Sequence, residues 1–124
     1  MTKLTLSPLG HTWVFDLDGT IIKHNGYKLD GYDSFLDGAK EFLVNLPDGD
    51  MVVFITSRTL EYKKITEHFF IKHGIRYDHI IYNAPFGERI LVNDSKPSGL
   101  NTAMALNVER DGAMELSIEV NHNI

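Results

Sequence analysis

The sequence predicts an α/β fold with a doubly wound, mostly parallel sheet, and three observations lead there. Two apolar, β-branched runs, Thr12-Trp-Val-Phe-Asp-Leu-Asp18 and Met51-Val-Val-Phe-Ile-Thr56, read as buried strands. Each is followed by apolar residues at helical spacing. Strands alternating with helices call for right-handed crossovers and parallel pairing, in a Rossmann-like arrangement with helices on both faces.

The elements follow in order. The first strand closes on Gly19-Thr20, a turn signal, with two aspartates at its carboxyl end. Phe35, Leu36, Ala39, Phe42, Leu43 and Leu46 then mark an amphipathic helix, with Asp33 or Ser34 placed to cap it and Pro47 beyond its end. The second strand leads to a helix from about Leu60 to His73, closed by Gly74, with Ile65, Phe69 and Phe70 on its apolar face. Tyr77 to Tyr82 and Arg89 to Asn93 read as short strands around the loop Asn83-Ala-Pro-Phe-Gly87. Alternating apolar residues at Met104, Leu106 and Val108, and again from Met114 to Val120, flank Asp111-Gly112 and predict a C-terminal antiparallel β-hairpin.

A chain of 124 residues is the size of one domain, and no repeat, linker or low-complexity tract divides 1–124. Between the strands there is room for a short flap and single helices, but not for a cap domain. A hydrophobic content of 43% with 23% charged residues is that of a folded globular chain. The net charge of -5 and the interspersed signs disfavour nucleic-acid binding, which needs basic surface against phosphates. The absence of cysteine excludes disulfides, thiolate metal sites and a cysteine nucleophile. No segment has the length and apolarity of a signal peptide or membrane span, so a cytoplasmic address is expected, with no membrane partner.

In open α/β sheets, ligands bind beyond the carboxyl ends of the strands. Those ends carry Asp16 and Asp18, then Thr56-Ser57-Arg58, then Asn93-Asp94-Ser95-Lys96. Three converging carboxylates repel unless a cation sits among them, and hard oxygen donors suit Mg²⁺. The hydroxyls and cations suit a phosphate. An EF-hand reading of the aspartates fails, because that loop needs Gly where Ile21 stands and Glu where Tyr27 stands.

Val14-Phe-Asp-Leu-Asp-Gly-Thr20 resembles the first motif of the haloacid dehalogenase superfamily of phosphotransferases. Val53-Phe-Ile-Thr56 resembles the second motif, and Leu91-Val-Asn-Asp94 the fourth. The resemblance implies a small, capless phosphatase using an aspartyl-phosphate intermediate. Asp16 would be the nucleophile and Asp18 the general acid/base, since superfamily members with Asp at that position are phosphatases and mutases. Thr56 would hold the transferring phosphoryl group, with backbone amides after Asp16 adding a nest. Asp16, Asp18 through its carbonyl, and Asp94 would hold Mg²⁺.

The third motif, a Lys or Arg ahead of the fourth strand, has no obvious counterpart. Lys96 is the first candidate, with Arg89, Lys63 and Lys64 behind it. Ser57, Arg58, and Lys23 with His24 in the flap after the first motif are candidate substrate contacts. Ser57 and Thr56 are also fit to cap the following helix, and Arg58 to form a surface pair. Capless members act on larger or exposed phosphates or borrow a neighbouring subunit to close the site, which leaves a homo-oligomer open, with the terminal hairpin as its contact.

The expected function is therefore hydrolysis of a small phosphorylated metabolite, a sugar phosphate by preference. A nucleotide or polynucleotide-end phosphatase and a non-catalytic phospho-ligand module are the alternatives.

Overall fold

The computed structural model describes residues 2–124. It shows an α/β chain with parallel strands in two open sheets. The first holds β2 (Thr12–Asp16), β3 (Met51–Ile55) and β4 (His79–Ile81) in the order β2-β3-β4. The second pairs β1 (Thr2–Leu6) with β5 (Leu116–Val120). Helices α1 (Gly26–Leu29), α2 (Ala39–Val44) and α3 (Lys63–Lys72) lie between the strands, α3 being preceded by a 3₁₀ turn, Leu60–Tyr62. Among the described residues no cap domain is inserted, and no helix is long and apolar enough to cross a membrane.

The central position of β3 follows from its composition. Val52, Val53 and Phe54 are all buried, as a strand with neighbours on both sides requires. β2, also expected to be buried, is an edge strand; Phe15 alone is fully buried and Val14 is 58% exposed. Phe15, Leu17, Phe54 and Phe70 anchor one hydrophobic cluster, which α2 joins through Ala39 and Leu43. Phe54 and Phe70 stack with centroids 4.7 Å apart, fastening α3 to the sheet.

Four expectations need correction. The helix expected from Phe35 starts at Ala39, because Gly38 at φ 77 is its N-cap and Phe35 instead bridges Ile22. Asp33 therefore does not cap it. Arg89 to Asn93 form no strand: Ile90, Leu91 and Val92 are 83%, 64% and 88% exposed. Without a strand alongside, their backbone groups have no ladder to join. The terminal hairpin does not form either. Asp111-Gly112 does turn, with Asp111 at φ 60, but 104–108 are irregular and β5 pairs in parallel with β1. β1 itself was not anticipated, although Thr-Lys-Leu-Thr-Leu alternates with the period of a half-buried strand.

Candidate active site

The parallel register of β2 and β3 sets Asp16 opposite Ile55, so Asp16 and Thr56 leave the sheet at the same end. After β2 the chain folds tightly on itself. The amides of Thr20, Ile21 and Ile22 donate to the Leu17 carbonyl and that of Gly19 to Ile22. These four amides are engaged inside the loop and are not free to cradle a phosphate. Gly19 sits at φ 88, and a side chain there would lie 3.1 Å from Cγ of Arg110. The turn at Asp111 secures this loop and the flap together: its amide donates to the Gly19 carbonyl at 2.8 Å, and its carboxylate accepts the His24 amide at 2.8 Å.

The Asp16 side chain is 37% exposed and makes two contacts. Arg89 donates to Oδ1 at 2.8 Å, and Thr20 donates its hydroxyl to Oδ2 at 3.2 Å. Arg89, one of the lesser candidates for the third-motif cation, is thus the one that meets the carboxylate proposed as nucleophile. Lys96, the first candidate, is exposed, and its side chain forms no ion pair among the described residues. Lys63 and Lys64 are exposed on the first turn of α3.

Asp18 has a different environment. Its carboxylate takes a bidentate pair from Arg58, Nε to Oδ2 at 3.0 Å and Nη2 to Oδ1 at 2.9 Å. Arg58 is buried, and the same guanidinium grips Asp33 at 2.7 and 3.0 Å and donates to Thr66 Oγ1 at 2.9 Å. Its underside lies 4.0 Å from the centre of the Tyr27 ring. Burial alone would lower the Arg58 pKa, but the hydrogen bonds and charges of Asp33 and Asp18 outweigh it and raise it, so the cation is permanent. An arginine has five N–H donors, and all five are engaged here. Arg58 is therefore not free for the substrate contact expected of it, nor is it a surface residue.

Thr56 is 1% exposed. Its hydroxyl accepts the Arg58 amide at 3.1 Å, which ties the end of β3 to the same cluster. The 3₁₀ turn takes Thr59 as its N-cap, without a side-chain bond, so neither Thr56 nor Ser57 caps it. Ser57 is half-buried beside Thr56. Lys23 pairs with Asp30 at 2.8 Å, and the hydrogen bond to that carboxylate raises its pKa. His24 Nδ1 is buried without a hydrogen-bond partner among the described residues.

Asp94 stands apart from these groups in its bonding. It is exposed in the loop 93–102, where its carbonyl accepts the Thr102 hydroxyl, and Asn93 donates to that hydroxyl oxygen at 2.9 Å. Among the described residues no three His, Asp or Glu side chains gather as a metal-binding group. The oxygen donors suit Mg²⁺ in kind, yet the expected set of Asp16, Asp18 and Asp94 is not assembled as such a cluster. Two open hollows, of about 350 and 480 Å³, lie beside α2 and β5 and beside α3 and β4, and neither is lined by Asp16, Asp18 or Thr56. The strand-end arrangement has the stronger claim as the site, since that is where nucleophile-type and charged groups converge.

Compared with known proteins, the chain gives no significant match to a family model, to a curated protein or to a solved structure. The site therefore has to be read from its own residues.

Sequence reasoning missed Asp33, Tyr27, Thr66 and Asp111. Asp33 was visible only as a helix cap, because nothing in a linear pattern says that it will meet an arginine from the far side of β3. Asp111 was visible only as a turn residue.

Proposed function

We propose that this chain is a Mg²⁺-dependent phosphomonoesterase of the haloacid dehalogenase type, with a capless, doubly wound core, acting on a small phosphorylated metabolite. Sugar phosphates are the leading substrate class. The observation that carries the reading is Asp16: a half-exposed carboxylate at the carboxyl end of a parallel strand, with an arginine on one oxygen and the end of β3 alongside.

In this reading an Asp16 oxygen forms a bond to phosphorus while the bond to the leaving oxygen breaks, and Asp18 delivers a proton to that oxygen. Water activated by Asp18 then releases phosphate from Asp16. Arg89 offsets the repulsion between two anions and contacts the transferring group. Thr56 holds the end of β3 in place. Mg²⁺ would be held by the Asp16 carboxylate and the Asp18 main-chain carbonyl and would neutralise phosphoryl charge, while Asp94, exposed in the loop 93–102, would have to approach to serve as third ligand.

The test is hydrolysis of p-nitrophenyl phosphate with and without Mg²⁺, by native protein and by Asp16→Asn. Metal-dependent turnover in the native protein that drops to background in the variant is the expected result. Turnover that survives the substitution would remove Asp16 as nucleophile.

One observation favours a second reading. Both Asp18 oxygens are held by Arg58, as they would be in a phospho-ligand module with no need of an acid/base. A native protein that binds a phosphorylated ligand yet shows no hydrolysis would support it.

A further inference from the structure

The network around Arg58 holds more carboxylate than its charge requires. One guanidinium faces two carboxylates, and they are not equivalent: the Asp33 side chain is 3% exposed and that of Asp18 is 17% exposed. A buried cation left without a counter-ion is strongly destabilising, so at least one carboxylate has to stay. Asp33 meets that need through two of its own hydrogen bonds, and the Tyr27 ring and Thr66 hydroxyl hold the guanidinium plane in place. Asp18 is the member nearer solvent and belongs to the loop that leaves β2 toward the site.

We propose that Arg58 and Asp33 are positioning residues for Asp18: Arg58 aligns its carboxylate, and Asp33 keeps Arg58 neutralised when Asp18 departs to reach the leaving oxygen. The inference rests on the phosphatase reading and assigns a regulatory geometry to its acid/base. It also accounts for an arginine next to the site that has no donor left for substrate. With Asp33 gone, Asp18 becomes the sole counter-ion of a buried cation and is pinned to it. The defect should then fall on proton delivery to the leaving oxygen as its bond to phosphorus breaks.

The dependence on leaving group reads this directly. A nitrophenolate departs with little proton assistance, whereas an alkoxide needs the acid. Values of kcat/KM for p-nitrophenyl phosphate and for glycerol 3-phosphate are to be measured with Mg²⁺ for native protein and Asp33→Asn, with thermal melting as the folding check. The expected result is a loss on the alkyl ester at least about tenfold greater than the loss on the nitrophenyl ester. Arg58→Lys, which keeps a cation but removes the fork, should show the same selective loss and serves if Asp33→Asn does not fold. Equal losses on both esters would make the network merely structural and overturn the proposal, as would no loss at all. Absence of hydrolysis of either ester by native protein would instead remove the phosphatase reading, and the positioning role with it, before any substitution is compared.

Discussion

Residues 12–81 and residues 83–115 carry similar apolar runs, yet only the first region turns them into strands. Val52, Val53 and Phe54 in β3 are buried between two neighbours, whereas Ile90, Leu91 and Val92 stand in the open. Hydrophobicity marks a segment as able to pair, and a partner edge decides whether it does. The second region nonetheless supplies Arg89 to Asp16 and Asp111 to the loop and flap. Packing is therefore concentrated in the first region, and the second adds single contacts to a site whose strand-end residues belong to the first.

The largest expected contrast tests that division. Phe54→Ala removes a fully buried ring from the centre of the aromatic cluster and should cost about 3–5 kcal/mol, while Val92→Ala should stay within about 0.5 kcal/mol. Urea denaturation of both variants decides the matter. A costly Val92→Ala would mean that 89–93 is packed in solution.

Next in size is Arg89→Ala. As a surface ion pair it should change stability by less than about 1 kcal/mol, yet lower kcat/KM by about 10²-fold if Arg89 serves the transferring group. Lys96→Ala alongside it separates the two cations: a larger loss there would return the third-motif role to Lys96.

The smallest effect belongs to the first region and to pH. Burial alone would raise the Asp50 pKa, but hydrogen bonds from Trp13 Nε1 and from the His11 amide and ring, with the charge of His11, hold it below the usual value. A carboxyl whose folded value is depressed stabilises the protein above its unfolded value of about 3.9, and that contribution is lost as pH falls through the folded value. Asp50→Asn should therefore cost about 1–3 kcal/mol near neutrality, and the difference from native protein should vanish in acid. A difference that persists at low pH would show that packing, not ionisation, makes the contact.

How much was legible follows the same line. β2, β3, α3 and the Asp16 and Asp18 strand end could be read because their signals are local: an apolar run, a turn, a helical period. The start of α2 was misplaced because Gly38, a backbone matter, overrode a periodic stripe. The strand expected from Arg89 to Asn93 and the terminal hairpin were misread because both depend on which edge is offered. The joint grip of Arg58 on Asp18 and Asp33 was invisible because their meeting is set by tertiary folding across β3.

The ribbon of β1 and β5 joins Thr2 to Leu116 and Leu6 to Val120, nearly the whole chain apart. During synthesis β1 emerges before β5 and has no partner strand until β5 follows. The sheet of β2, β3 and β4 needs nothing beyond Ile81 and is free to assemble in the meantime. Pairing of β1 with β5 is thus expected to follow the assembly of that sheet, and loss of Leu116–Val120 would leave β1 as an exposed edge open to pairing with other chains.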